Sequence, residues 1–169
     1  WRDNRLNMIH EGTHGIQALD LLGRKAVMQQ GAAIALFGRT LQATVEQARA
    51  RPALAPHAEA LQAAWGEVLA TLAVLTPLLR SDGDRALANA SVFLEAFGHT
   101  VLAWTWLRQA VVADHALAQA ATPQDADFYR GKLQACRWFF HWELPRTVPQ
   151  HALLRSLDDS TLAMQDAWF

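Results

Sequence analysis

The sequence predicts an all-α protein, a helical bundle of about five to six helices. Apolar residues recur at spacings of three and four along most of the chain, and the strict alternation typical of β-strands is absent. Most glycine and proline residues fall between these periodic stretches, where helices are expected to begin or end. With 51% hydrophobic and 18% charged residues over 169 positions, the chain can bury one sizeable core.

The first two predicted helices are short and meet at a glycine. The first covers residues 2–9 and places Leu6 and Ile9 on one side. Gly12 would end it, because glycine tolerates the backbone angles of a helix C-terminus. Thr13 is then the expected N-cap of a second helix over residues 14–29. The apolar residues of this second helix are Ile16, Leu19, Leu22 and Val27.

Two longer helices are predicted next. Gly31 breaks the preceding helix, and a helix then runs to about residue 50 with Ile34, Phe37, Leu41 and Val45 on one face. Residues 51–56 contain two prolines and form a connector. The following helix covers residues 57–80, and Pro77 is expected to kink or shorten its end. Its inward residues are Leu61, Trp65, Val68, Leu72 and Leu75.

The longest predicted helix covers residues 84–121, after a turn at residues 81–84. It has little polar face, so we expect it to be central and Trp104 on it to be buried. Thr122 and Pro123 are the expected N-cap and first residue of the next helix, which Pro145 ends. A final amphipathic segment begins near residue 152 and includes Leu153, Leu154, Leu157, Leu162 and Met164.

Charge and composition narrow the classes of function. The formal net charge is -1, without a basic or acidic block, so neither nucleic acid nor a charged membrane surface is an expected partner. Polar residues interrupt each apolar run, so no membrane span is predicted. Cys136 is the single cysteine, expected to be an inert core thiol, and a cytoplasmic location is the default. The chain starts at Trp1 inside a predicted helix, which we interpret as the C-terminal part of a longer protein.

Residues 10–14, HEGTH, match the H-E-x-x-H pattern of zinc hydrolases. That chemistry requires both histidines on one continuous helix and a third metal ligand. Gly12 inside such a helix costs about 1 kcal/mol relative to alanine. Asp20 lies too near along the same helix to reach the metal, which leaves Glu46 as a possible ligand. No metal is expected here, and a zinc hydrolase stays an alternative.

Taken with its neighbours from Arg2 to Gln17, the HEGTH stretch resembles the catalytic-glutamate segment of the acyl-CoA dehydrogenases. That segment has an R-x-x-R-[IL] helix, an I-Y-E-G-T turn and a helix opening with x-x-I-Q. His10 replaces the usual Tyr, and His14 stands where Asn is common. The rest of the chain is similar to an extra helical domain in a long branch of the family, which includes enzymes acting on the CoA thioester of 3-methylmercaptopropionate. The segments that carry this similarity are residues 87–90, 96–99, 128–132, 142–145 and 164–169.

The resemblance implies two parts, a catalytic-domain remnant over residues 1–28 and an appended helical domain over residues 29–169. It implies an FAD-dependent α,β-dehydrogenation of an acyl-CoA substrate, with Glu11 as the catalytic base. Gly12 would let the thioester approach the backbone. The residues implied to contact FAD are Thr13, His14, Gly15 and Gln17. An electron-transfer flavoprotein as electron acceptor and a homo-oligomer are also implied.

One rival function and the roles of three further polar residues complete the predictions. A non-catalytic oligomerisation or docking module is the main rival to an enzyme, because the flavin and CoA sites need further chain. His99 is expected to be a core histidine with one hydrogen bond. Arg130 and Lys132 are expected on a solvated helix face, with contact to a nucleotide phosphate as the less favoured interpretation.

Overall fold

The structure is a computed structural model that describes residues 13–168, and these residues form an all-α bundle, as predicted. No strand occurs among them. Helix α4 is a turn of five residues, so six longer helices build the bundle. Residues 13–168 contain seven α-helices: α1 (His14–Asp20), α2 (Ala32–Arg49), α3 (Ala55–Ser81), α4 (Gly83–Leu87), α5 (Ala90–Leu117), α6 (Pro123–Trp138) and α7 (Thr147–Ser156).

Helix α5 is the centre of the bundle and contacts α1, α2, α3, α6 and α7. Its central position was predicted and is confirmed. One stripe of α5 is fully buried because its residues recur at spacings of three and four. Alanine and threonine dominate that stripe, which lets neighbouring helices approach closely. The buried residues of the stripe are Phe93, Ala96, Thr100, Ala103, Leu107 and Ala110.

The predicted start of this helix at residue 84 is wrong. The chain turns at residues 88–89, so that α4 is separate from α5. Asn89 stabilises the turn, since its side-chain amide donates a hydrogen bond to the backbone oxygen of Asp158 at 2.8 Å. Asn89 therefore has a long-range partner, which helical periodicity does not reveal.

Helix α3 packs against α2, α4, α5 and α7. All five of its predicted inward residues are buried. Pro77 lies inside the helix without ending it. Helix α3 is long enough and apolar enough to cross a membrane, judged by length and composition alone. In its most apolar stretch of 18 residues, 33% is buried inside the bundle. A core helix meets the same criterion, so this composition does not by itself indicate a membrane span.

The predicted apolar face of α1 is partly wrong. Leu22 is fully buried, but Ile16 and Leu19 are 67% and 48% exposed. The stripe that faces the bundle runs through Ala18, Leu22 and Ala26, at spacings of four, and the larger side chains lie on the other face. The chain widens into a π-helical turn at residues 21–25 and breaks at residues 29–31, where φ is 50°, 57° and 80°. The break predicted at Gly31 is confirmed.

Trp104 is half-buried, not buried as predicted. It lies at the edge of the core, where its indole N–H donates to Thr44 Oγ1 at 3.0 Å. The guanidinium carbon of Arg108 lies 4.7 Å from the centre of its ring. A tryptophan N–H needs a hydrogen-bond acceptor, and this requirement keeps the ring near polar groups.

The predictions for the C-terminal third are mixed. Thr122 caps α6 as predicted, because its hydroxyl oxygen accepts a hydrogen bond from the backbone N–H of Asp125 at 3.1 Å. Helix α6 passes through a π-helical turn at residues 139–143 into α7, which begins at Thr147, earlier than predicted. Helix α7 ends at Leu157, where φ is 56°, and Leu162 and Met164 beyond it are exposed. The predicted final amphipathic segment is therefore α-helical only as far as Ser156.

Candidate functional site

The predicted site residues lie at the start of α1. Glu11, the predicted base, and Gly12 lie outside the described residues. The other four are all exposed: Thr13, His14, Gly15 and Gln17. Thr13 occupies the predicted N-cap position, but its side chain makes no capping hydrogen bond. Its backbone oxygen instead accepts from the Gln17 N–H at 2.9 Å, which closes the first helical turn.

Two features characterise the surface at this helix start. The larger apolar side chains of α1 are exposed although a buried stripe holds the helix on the bundle. A Cβ atom added at Gly15 would meet nothing within 4 Å. The bundle therefore imposes no need for glycine at this position. Both features suit a surface that contacts a further molecule or a further part of a chain.

The histidine of this segment has no metal partners in the described part of the chain. Between residues 13 and 168, no three His, Cys, Asp or Glu side chains lie close enough together to hold a metal ion. His10 and Glu11 lie outside that range, and the zinc hydrolase stays an alternative prediction. Glu46, the possible third ligand, lies exposed on α2.

Cys136 is fully buried in the core. Burial raises the pKa of its thiol to about 12. The thiolate is the reactive form of cysteine, and it is almost absent at neutral pH. The predicted inert core thiol is confirmed.

His99 links α5 to the turn after α6. Its Nδ1 lies 3.0 Å from the backbone oxygen of Glu95, and its Nε2 lies 3.4 Å from a carboxylate oxygen of Glu143. Arg146 donates to the same carboxylate oxygen at 2.8 Å. The predicted single hydrogen bond of His99 is thus present, to the backbone oxygen of Glu95. The nearby Glu143 carboxylate is 44 positions away, and the local sequence could not reveal it.

A buried polar cluster joins α3 to α7, and no pattern in the sequence indicated it. His151 is completely buried, and its Nδ1 lies 2.9 Å from Thr71 Oγ1. Arg155 donates to that hydroxyl oxygen at 3.4 Å and to a carboxylate oxygen of Glu67 at 2.7 Å. Because Arg155 can only donate, the Thr71 hydroxyl proton is free to be donated to Nδ1 of His151. The remaining Nε2 of the ring has no partner among the described residues.

This cluster predicts a loss of stability in mild acid. Burial lowers the pKa of His151 below 6.5; Glu67 opposes this effect and Arg155 adds to it. Below pH 6.5 the unfolded chain therefore binds a proton that the folded chain does not, and the free energy of unfolding falls as pH falls. The limiting slope is about 1.4 kcal/mol per pH unit for one histidine. Urea unfolding between pH 7.5 and 5.5 measures it.

Matched variants isolate the contribution of His151. His151→Gln should reduce the dependence of stability on pH. His57, whose pKa burial also lowers, should maintain part of it. His115→Gln is the control, because His115 is exposed on α5. An unchanged pH slope in His151→Gln would show that His151 does not contribute to the acid sensitivity.

Two surface depressions complete the candidate sites. A groove of about 1130 Å³ lies between residues 23–38 and α3. Trp65 lines it, and a Cβ atom at Gly38 would come within 3.1 Å of the indole nitrogen of Trp65, so the two helices meet closely here. A smaller cleft of about 370 Å³ lies between α5 and α6. Neither depression could be predicted from the sequence, because each is formed by residues from separate helices.

The described residues form an all-α helical-bundle domain. The predicted cofactor-contacting residues lie exposed at the start of its first helix, α1. A family model described as acetyl-CoA dehydrogenase C-terminal like matches residues 37–165. The chain belongs to this family of acyl-CoA dehydrogenase C-terminal domains. The resemblance seen in the sequence is thereby confirmed. The division between residues 28 and 29 stays a prediction.

Two curated proteins are similar to almost the whole chain. The broad-specificity linear acyl-CoA dehydrogenase FadE5 of Mycobacterium tuberculosis is 29% identical over 174 residues, which cover 99% of this chain and 28% of that protein. The 3-methylmercaptopropionyl-CoA dehydrogenase of Ruegeria pomeroyi is 31% identical over 163 residues, or 96% of this chain and 27% of that protein. The chain thus spans little more than a quarter of the length of these relatives.

Proposed function

We propose that the chain is the C-terminal part of an FAD-dependent acyl-CoA dehydrogenase. The observation that carries this proposal is the start of α1, where the residues implied to contact the cofactor are all exposed beside exposed Ile16 and Leu19. The printed names of the two relatives support the class of reaction. The activity belongs to a longer parent protein, since the chain spans only part of its relatives.

In this proposal Glu11 is the base that removes the α-proton of the thioester. That proton is weakly acidic, so the carboxylate must be kept from water, which raises its pKa toward the working pH. Bound FAD supplies the acceptor for the hydride that leaves the β-carbon. Gly12 would allow the thioester to approach the backbone closely, because glycine has no side chain.

The side chains at the start of α1 suit the cofactor chemically. Thr13 offers a hydroxyl, His14 an imidazole and Gln17 a carboxamide, and each can both donate and accept a hydrogen bond. All three are exposed, and Gly15 leaves space between them. These groups match the carbonyl, ring-nitrogen and phosphate groups of a flavin nucleotide. They would hold and orient FAD.

A non-catalytic oligomerisation or docking role is the second candidate, and one observation favours it. Trp138 and Trp142 are exposed at the end of α6 and in the turn after it. Exposed tryptophans at neighbouring positions suit a protein contact. We propose a homo-oligomer, with an electron-transfer flavoprotein as electron acceptor and a cytoplasmic location. Catalysis and oligomerisation can coexist in one parent protein.

The parent protein, purified with its natural N-terminal extension, tests the proposal directly. We expect about one FAD per chain and reduction of an artificial electron-accepting dye that depends on added acyl-CoA. A colourless, inactive protein that still forms oligomers would favour the docking role. About one zinc per chain, lost in His14→Ala, would favour the zinc hydrolase. A panel of acyl-CoA chain lengths would then define the substrate.

A further inference from the structure

The cleft between α5 and α6 is lined by one stripe from each helix. Helix α5 contributes residues at spacings of three and four, and α6 contributes three residues of its first three turns. Two large apolar side chains in the cleft, Val112 and Phe128, are 66% and 61% exposed. Exposing them to water is unfavourable unless something covers them. The lining residues are Thr105, Arg108, Gln109, Val112, Ala113, Phe128, Tyr129 and Lys132.

Aromatic rings hold the two cations of this cleft in place. The Lys132 ammonium lies 5.4 Å from the ring centre of Phe128 and 5.8 Å from that of Trp106. The Arg108 guanidinium lies over Trp104, on the same helix. A cation–π contact restrains a cationic side chain without neutralising its charge. Both positive charges therefore remain available to an anion.

The nearby carboxylates are paired with other cations. Asp114, next to the α5 stripe, lies 3.2 Å from Arg51. Asp127, next to Phe128, lies 3.1 Å from Arg130. Within residues 13–168, neither Arg108 nor Lys132 has a carboxylate oxygen within 4.0 Å. The expectation that Lys132 lies on a plain solvated face is therefore wrong, whereas Arg130 fits it.

We infer that this cleft binds an anionic amphiphile, a carboxylate with a short acyl tail. The head group would lie between Arg108 and Lys132, since a guanidinium can bind a carboxylate through two hydrogen bonds. The tail would cover Val112 and Phe128. A cleft of about 370 Å³ lies within the size range of small-ligand sites, and its lining combines apolar side chains with polar ones that can orient a ligand.

The proposed amphiphile site does not depend on the proposed dehydrogenase function. Its lining residues come from α5 and α6, and none comes from α1, which carries the predicted cofactor-contacting residues His14, Gly15 and Gln17. Ligand binding to the 169-residue chain can therefore be measured without flavin or acyl-CoA. A negative result for the amphiphile site would therefore not contradict the proposed dehydrogenase function, and the reverse also holds.

Sodium octanoate is a suitable probe, with octanamide as its uncharged analogue of the same tail. Titration of the isotope-labelled chain should shift the amide NMR signals of residues 105–113 and 128–132 in a saturable way. Octanamide should bind about tenfold more weakly, because it lacks the charge that a cationic donor pair favours. Octyltrimethylammonium should not shift these signals.

Charge-removing variants with a matched control identify the head-group site. Lys132→Met and Arg108→Gln should each weaken octanoate binding about tenfold, with the helical circular dichroism spectrum unchanged. Arg130→Gln is the control, since Arg130 lies on the same helix but is already paired with Asp127. It should bind octanoate like the unmodified chain.

Several results would overturn the inference. Equal binding of octanoate and octanamide would mean that the cations contribute nothing. An equal loss in Arg130→Gln would indicate a general effect of surface charge. Shifts confined to the groove between α2 and α3, or no saturable shift, would mean that the α5–α6 cleft is not the binding site.

Discussion

Replacing Phe93 with alanine is expected to lower the free energy of unfolding by about 3 to 5 kcal/mol. Phe93 lies on the central helix and is fully buried. Its ring centre lies 5.9 Å from that of Phe97. Truncation removes apolar contacts and leaves a cavity that the surrounding helices can only partly fill. Since domains are typically stable by about 5 to 15 kcal/mol, this loss would leave a marginal fold.

Urea unfolding followed by far-UV circular dichroism measures the effect of Phe93→Ala. Phe128→Ala is the matched control, because it removes the same side chain from an exposed position. Its unfolding midpoint should change little. A Phe93→Ala chain as stable as the Phe128→Ala chain would show that α5 is not the centre of the core.

Helical periodicity predicted the architecture well where a helix is long. In α3 all five predicted inward residues are buried, and α5 lies at the centre as expected. Periodicity works there because a long helix buries one consistent stripe against several neighbours. A hydrophobic pattern repeated over several turns leaves few alternative orientations.

Helical periodicity gave wrong predictions where a helix is short or interrupted. In α1 the rule that large apolar residues point inward selected Ile16 and Leu19, but the bundle accommodates Ala18 in a close helix contact. At the turn that separates α4 from α5, Asn89 donates a hydrogen bond to the backbone oxygen of Asp158. A long-range polar contact of this kind leaves no periodic signal.

The candidate sites likewise include one that the sequence could predict and others that it could not. The segment around Glu11 could be singled out because its residues are adjacent in the sequence. The His151 cluster and the α5–α6 cleft could not, because their members come from separate helices. His151 and Thr71, for example, are 80 positions apart. Only the folded arrangement brings such residues together.

In the parent protein, replacing Glu11 with glutamine is expected to slow flavin reduction by acyl-CoA by a factor of about 100 to 10,000. Glutamine keeps the size and shape of the side chain but cannot accept the α-proton as a carboxylate does. The bound FAD should remain, because the residues proposed to hold it are Thr13, His14, Gly15 and Gln17. A large loss of rate with full flavin content would separate proton removal from cofactor binding.

Anaerobic stopped-flow absorbance of the flavin measures this rate without an electron acceptor. Glu46→Gln is the control, since Glu46 is an exposed carboxylate on α2 and the possible third ligand of a zinc site. It should leave flavin reduction unchanged. A Glu11→Gln enzyme that reduces its flavin at a near-normal rate would assign the base to another residue. A colourless Glu11→Gln protein would instead show that Glu11 acts in holding the cofactor, because removing one proton acceptor does not itself release a flavin.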